Sequence, residues 1–385
     1  MTTDPGPLAA DVDAYSAALR PALRESSYDR WRESDHATTE ARIADHAELL
    51  ALLHADGWNR FGWPAEAGGH GGDERHRAAL YDELSAAGLP VPEPVLMLET
   101  LGPPMIKFAP DLAAAHLPAY LRGEEWWGQG FSEPEAGSDL ASLRCRARRD
   151  GDSFVVSGSK LWTSHGATAT RLVCLVRTGT PESRHRGLSM LMIDVASPGV
   201  TVRPVALASG QNELAEVFFD DVVVPASHLV GEQDGGWGVA MYLLQFERAM
   251  YAWMCAAVGT RRLGDLRDAL AAGPLQDGIR LRLGQCYTDL VNVRARSSRT
   301  VARLAAGEPV GPEASVDKIL LATFETSLYD LARDGLGSDF LSAPQARAWR
   351  DEWWYSRSAT ILGGSSEVQR TIIADHVLGL PKEGS

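Results

Sequence analysis

Strand-forming runs in this chain are confined to one block, and that confinement limits the possible folds more than any other feature. Between about residues 126 and 230 lie Phe154-Val-Val156, Leu172-Val-Cys-Leu-Val176, Leu188 to Val195, Val200-Thr-Val202 and Val217-Phe-Phe219. Turn signals such as Asp150-Gly151 and Pro198-Gly199 separate them, as in an antiparallel sheet or a small barrel. Upstream, Ile43, Ala47, Leu50 and Ala51 recur at helical spacing, with Gly57 as a stop. Helical patterns return at about residue 231 and run nearly to the end. We therefore expect a helical region over 1–125, a β-domain over 126–230 and a helical region over 231–385. Blocks in this order argue against an alternating parallel α/β fold, and with it against a Rossmann cofactor site.

The net charge of −14 over 385 residues disfavours nonspecific attachment to nucleic acid or to anionic membranes. It leaves small polyanionic ligands open, because these are held by local donors. Four cysteines, Cys145, Cys174, Cys255 and Cys286, are far apart and form neither a disulfide framework nor a zinc pattern. The stretch from Met1 to Ala10 lacks a basic segment followed by an apolar one, and the uncharged run Trp237 to Phe246 is far short of a membrane span. The expectation is a soluble, cytoplasmic protein without a metal site.

One acid stands out. Between Val239 and Thr260 the only charged side chains are Glu247 and Arg248. Glu247 shares a helical face with Leu243, Leu244, Met250, Tyr251 and Met254. Desolvation on such a stripe raises a carboxyl pKa, which suits a base that removes a weakly acidic carbon-bound proton; a buried ion pair with an arginine of another helix is the alternative. Three further segments have features that could meet a ligand. In Gly130-Phe-Ser-Glu-Pro-Glu-Ala-Gly-Ser-Asp139, the amides near Gly137 and Ser138 could bind phosphate oxygens and Ser132 offers a hydroxyl. In Lys160-Leu-Trp-Thr-Ser-His-Gly166, Trp162 has a face for stacking, and Ser164 would point to the same side of a strand. In Ile361-Leu-Gly-Gly-Ser-Ser-Glu-Val-Gln-Arg370, Ser366 and Gln369 fit a capping box, so a helix N-terminus would follow the glycines. The glycine-rich loop Phe61 to Gly72 lacks a strand–helix frame and reads as a packed turn.

In combination these segments resemble the acyl-CoA dehydrogenase family over nearly the whole chain. The resemblance rests on the Trp-Pro and Gly-Gly loop at 63–72, Ser132-Glu-Pro-x-Ala-Gly-Ser-Asp139, Lys160-x-Trp-x-Ser-x-Gly166 and Phe218-Phe-Asp-Asp-Val222 with Val224-Pro225. Gly235-Gly-Trp237, Gly363-Gly-Ser-Ser-Glu-Val-Gln369 and Val377-Leu-Gly-Leu-Pro381 complete it. It implies an N-terminal helical domain, a middle antiparallel β-domain and a C-terminal four-helix bundle, with FAD bound between subunits. Phe131, Ser132 and Trp162 match positions beside the flavin ring, and Ser164 one near N5. Gly137 and Ser138 match the phosphate-bearing part of the ligands, and Gly363 to Glu367, including Gly364 and Ser365, a segment along the FAD. The Gly363 N–H matches a donor to the thioester oxygen, and Arg248 a substrate-side residue. The implied reaction is α,β-dehydrogenation of an acyl-CoA, with an electron-transfer flavoprotein as acceptor; the alternatives are an oxidase or monooxygenase on the same fold, and a noncatalytic partner subunit of an α2β2 acyl-CoA dehydrogenase.

The sequence departs from the family pattern twice. Many members carry the catalytic Glu where Gly363 stands; a smaller branch carries it on the neighbouring helix before an arginine, which Glu247-Arg248 matches. The motifs that bind the ADP half of FAD are missing, the matching regions reading Arg280-Leu-Arg-Leu-Gly284 and Leu331-Ala-Arg-Asp-Gly-Leu-Gly337. Such a subunit forms either a homo-oligomer or an α2β2 heterotetramer in which a partner completes the flavin site.

Overall fold

The computed structural model describes residues 5–32, 36–271, 273 and 276–381; residues 1–4, part of the stretch read for a leader, lie outside them. Six helices come first: α1 (Pro5–Ala10), α2 (Val12–Ala22), α3 (Thr39–Ala55), α4 (Glu74–Ala86), α5 (Val95–Phe108) and α6 (Pro110–Leu121). Thr38 caps α3 by accepting from the Ala41 N–H at 3.2 Å. The apolar stripe of α3 runs through Ile43, His46, Leu49, Leu50 and Leu53. Ala51, expected on that stripe, is exposed, because the helical period turns it past the buried face. The loop at 61–72 is a packed turn: a Cβ at Gly69 would lie 1.9 Å from the Trp63 carbonyl oxygen. The Arg77 guanidinium stacks over Trp63 at 4.2 Å and pairs with the buried Glu99 at 2.9 Å.

The strands are β1 (Trp127–Gly130), β2 (Arg146–Asp150), β3 (Ser153–Ser164), β4 (Arg171–Arg177), β5 (Leu188–Asp194), β6 (Val200–Val205), β7 (Leu214–Pro225) and β8 (Leu229–Val230). They form one sheet in the order β6-β7-β3-β1-β4-β5-β8, with β2 against β3 and β4. Most pairings are antiparallel, but β1 runs parallel to β4 along Trp127–Gly130, and β2 meets β4 parallel at one position. The middle domain is therefore mainly rather than wholly antiparallel. Asp150-Gly151 forms the β2–β3 hairpin, where Asp150 faces Ser153.

The C-terminal region is helical, with α7 (Gly236–Leu270), α8 (Asp277–Ala305), α9 (Ala314–Leu336), α10 (Ser338–Ser342), α11 (Arg347–Ser356) and α12 (Ser366–His376). Three long helices dominate it, and the shorter α11 and α12 pack on α9. Among the described residues no helix is long and apolar enough to cross a membrane.

Helix α7 is a wall shared by three cores. Its Val239, Ala240 and Leu243 join β-domain residues Trp127 and Phe131 and the α5 residue Met105. Its Phe246, Met250 and Met254 pack with α2, α3 and α4. Its Ala252, Ala256 and Leu263 pack with α8 and α9. A helix packed against three cores is apolar around most of its circumference, and α7 holds this over 35 residues.

Candidate active site

Glu247 and Gly363 come together although 116 positions separate them. A Cβ built on Gly363 would stand 2.6 Å from Glu247 Oε1 and 3.5 Å from the Lys318 Cε. Gly363 has φ 64°, so only a residue that tolerates left-handed backbone fits the turn, and its missing side chain leaves room for the carboxylate. Glu247 thus reaches from α7 into space that a side chain at 363 would fill.

The carboxylate is desolvated. Burial raises the Glu247 pKa, while the nearby charges of Arg248 and Lys318 and a hydrogen bond from Gln129 act in the opposite direction. Its Oε2 is enclosed and has no hydrogen-bond partner among the described residues, and the same is true of Arg248 Nε. An acid in a closed ion pair would not leave an oxygen unsatisfied, so the ion-pair alternative is disfavoured. The Arg248 pKa is lowered by burial.

Behind Gly363, the turn is fixed from two sides. Lys318 of α9, 5% exposed, donates from Nζ to the Ala359 carbonyl at 2.6 Å. Burial depresses the lysine pKa, opposed by the charges of Glu325 and Glu247. Buried Gln369 donates to the carbonyls of Gly363 at 3.0 Å and Gly364 at 3.3 Å. The expected Ser366–Gln369 capping box does not form: the cap is Ser365, whose hydroxyl accepts from the Val368 N–H at 3.3 Å, and Gln369 has turned back to hold the glycine turn. Among the described residues the N–H groups of Gly363 and Gly364 donate to no acceptor. Glu367, in the first turn of α12, is exposed.

The β-domain supplies the opposite side. Gln129, the β1 residue whose side chain favours the ionised Glu247, is paired in register with Ser164 of β3. The Leu161 N–H donates to the Ser132 carbonyl at 2.9 Å, which brings the two β-domain motifs side by side. Beneath them, buried Lys160 donates to the Phe131 carbonyl at 3.1 Å and to Glu133 at 2.7 Å. Phe131 belongs to the core, while Gly137 and Ser138 stand on an exposed turn.

Trp162 is 53% exposed and holds φ 61°. A tryptophan in left-handed backbone is uncommon, and strain of this kind concentrates at functional positions. Pairing with β7 is irregular between Lys160 and Thr163. Thr163 is buried while Trp162 and Ser164 on either side of it stay accessible, the alternation expected of two residues on one side of a strand.

These residues fit half of a flavin well: an exposed aromatic face, small hydroxyl residues beside it, and a glycine turn with free N–H groups at the start of a helix. The other half has no such frame. Residues 331–336 form the last turns of α9, with Leu331 and Ala332 in the core and Gly335 against Leu270, so no glycine loop is available there.

Gln129 and Lys318 escaped the sequence reading. Gln129 carries no signal in sequence. Lys318 carries the one that marked Glu247, a charge within an otherwise apolar helical run, here Ala314 to Phe324, beside the equally buried Asp317.

The family models for the acyl-CoA dehydrogenase middle and C-terminal domains match residues 128–222 and 234–378. The chain is 38% identical over 357 residues to the acyl-CoA dehydrogenase IpdE1 of Mycobacterium tuberculosis, covering 91% of this chain and 90% of that protein. Among solved structures it resembles the Tcur3481-Tcur3483 steroid ACAD, with a TM-score of 0.79, 29% identity and 98% of each chain covered. The ChsE4-ChsE5 complex from Mycobacterium tuberculosis gives a TM-score of 0.79 at 27% identity, covering 96% of this chain and 98% of that one. The chain belongs to the acyl-CoA dehydrogenase family.

Proposed function

We propose that the protein dehydrogenates an acyl-CoA thioester between its α and β carbons, giving the trans-2-enoyl-CoA, with Glu247 as the α-proton base. The observation that carries this reading is the Glu247 carboxylate seated against Gly363, where the family's commoner base would project. Bound FAD would supply the acceptor for the β hydride, with an electron-transfer flavoprotein taking the electrons onward. Phe131, Ser132, Trp162, Ser164, Gly364, Ser365 and Glu367 would hold its ring and ribityl parts, and Gly137 and Ser138 the phosphate-bearing region. Ser138 and Arg248 would serve the CoA ester.

Each residue of the chain then has a defined task. Glu247, raised by burial but tempered by Lys318 and Arg248, accepts a proton from carbon without a full hydration shell to shed. The free Gly363 N–H donates to the thioester oxygen, where charge grows as the proton leaves. Gln129 orients the carboxylate, and Lys318 and Gln369 hold the turn that positions the N–H. The steroid ACAD and the two-protein complexes among similar structures support a steroid-derived acyl group and an α2β2 assembly. The helical 331–336 segment favours the second point, because a partner would have to complete the ADP half of the site.

The test is the visible spectrum of the protein, purified with any partner subunit, during anaerobic addition of an acyl-CoA panel that includes steroid side-chain thioesters. Bleaching of the flavin band is expected. A flavin-loaded protein that no thioester of the panel bleaches would count against the dehydrogenation reading.

A further inference from the structure

The end of β3 that carries Trp162 and Ser164 is strained and tied from behind. Trp162 at φ 61° and His165 at φ 55° both hold left-handed backbone within four residues. Such conformations persist where the surrounding structure over-determines them. Trp162 and Ser164 face outward, while Thr163 and His165 are buried. The inward side meets the N-terminal helical domain, where His165 lines a small pocket with Ile43 of α3, Met97 of α5 and Tyr120 of α6.

A chain of hydrogen bonds runs from α3 to this corner. Thr39 and Arg42, one turn apart on α3, both grip the segment that leads into β7. The Thr39 hydroxyl donates to the Gln211 side-chain oxygen at 2.9 Å and accepts from the Asn212 N–H at 3.0 Å. The Arg42 guanidinium donates to the same Gln211 oxygen at 3.3 Å and to Glu213 Oε1 at 2.7 Å. Its Nε pairs with Glu93, in the loop before α5. Glu93 is itself fixed, because its N–H donates to Nδ1 of buried His46 at 3.0 Å. Glu93 Oε1 stands 3.5 Å from His165 Nδ1. The last link is backbone: the His165 N–H donates to the Glu213 carbonyl at 2.7 Å, beside the register pair Ser164 and Leu214.

One guanidinium thus spans two carboxylates on different elements, and both residues that carry them meet His165. The fork of an arginine suits this task as the point charge of a lysine does not. The tryptophan held by this frame is 53% exposed, so the frame does not serve to bury it. What it fixes is the direction of a free aromatic face and of the hydroxyl two residues on.

We propose that Arg42 and Glu93 are positioning residues for the flavin wall: through Glu213 and His165 they set how Trp162 and Ser164 present themselves to the ring. This rests on the reading that those two residues flank the flavin, and adds what holds them there from another domain.

The test uses the flavin-loaded protein, purified with any partner subunit. In Arg42→Met the visible flavin band should change position and shape and the FAD Kd should rise. Flavin reduction by a saturating acyl-CoA should slow by on the order of 10- to 100-fold, the loss that ångström-scale misplacement brings, with KM for the thioester nearly unchanged. Arg42→Lys, which keeps the charge and the fold but not the fork, should move the same readouts in the same direction by less. In a Ser164→Ala background Arg42→Met should cost clearly less than in wild type, because the two act through one corner. A folded Arg42→Met with the wild-type band, FAD Kd and reduction rate would overturn the proposal, and so would losses that simply multiply in the double variant. If no thioester bleaches even wild type, dehydrogenation is what fails, and the band and the FAD Kd, which need no turnover, still decide the role of Arg42.

Discussion

Replacing Gly363 by alanine tests the packing that joins the two halves of the site. The new methyl would be placed 2.6 Å from Glu247 Oε1, closer than side-chain carbons approach oxygen, and on a backbone with φ 64°. The atom met is the end of a flexible side chain, so the fold survives and the carboxylate gives way. Left-handed backbone at alanine costs about 1 kcal/mol, a fall in Tm of about 2 °C for a chain of this size. The catalytic loss should be far larger. Ångström-scale displacement of a reacting group costs on the order of 100-fold, so the rate of flavin bleaching should drop by about 10- to 100-fold. Anaerobic stopped-flow reduction by a saturating acyl-CoA measures it, with thermal denaturation run alongside. A folded variant that reduces its flavin at the wild-type rate would refute the assignment of Glu247 to the space beside residue 363.

Three further outcomes are expected. Glu247 must be ionised to accept a proton, and burial raises its pKa above the ordinary carboxylate value of 4.5, so kcat/KM should rise with pH through a midpoint above that value; Lys318→Met should move the midpoint higher and Lys318→Arg less. Because folding raises this pKa, the ionised acid weakens the folded state at every pH above its unfolded value. Glu247→Gln should therefore raise Tm at neutral pH, with the gain vanishing as pH falls below the ordinary carboxylate range; a variant less stable at neutral pH would contradict the desolvation argument. Arg77→Met should lower stability by about 3 to 5 kcal/mol, seen in thermal or urea unfolding, since it strands the buried Glu99 and removes the cover of Trp63.

The block order of the fold was legible because apolar runs with turn residues between them occur only in the middle of the chain. The same logic fails for β1, β2 and β8. Arg146–Asp150 has four charged residues in five and turns only Ala147 inward, and Leu229–Val230 is too short to register a period. Of the candidate site, Glu247 was singled out by the helix pattern, since one acid in a long apolar run has few explanations, and the resemblance chose the base over the ion pair. Trp162 was legible only as part of a motif, and its strained backbone could not be foreseen from residue types. The Ser365 cap was missed by one position, because either serine satisfies the pattern and only the turn geometry chooses between them. Gln129 and Lys318 depend on contacts between distant segments, which no local pattern reports.

The central claim is that Glu247 takes the α proton, and a single-turnover experiment on Glu247→Gln tests it most directly. The variant, loaded with flavin and mixed anaerobically with the thioester that bleaches wild type, should still bind it, seen as a shift of the flavin band. Its reduction should be slower by roughly a thousandfold, the loss expected when a positioned base is removed. Bleaching within a few-fold of wild type would mean that another group removes the proton, and the account given for Glu247 and Gly363 would be wrong.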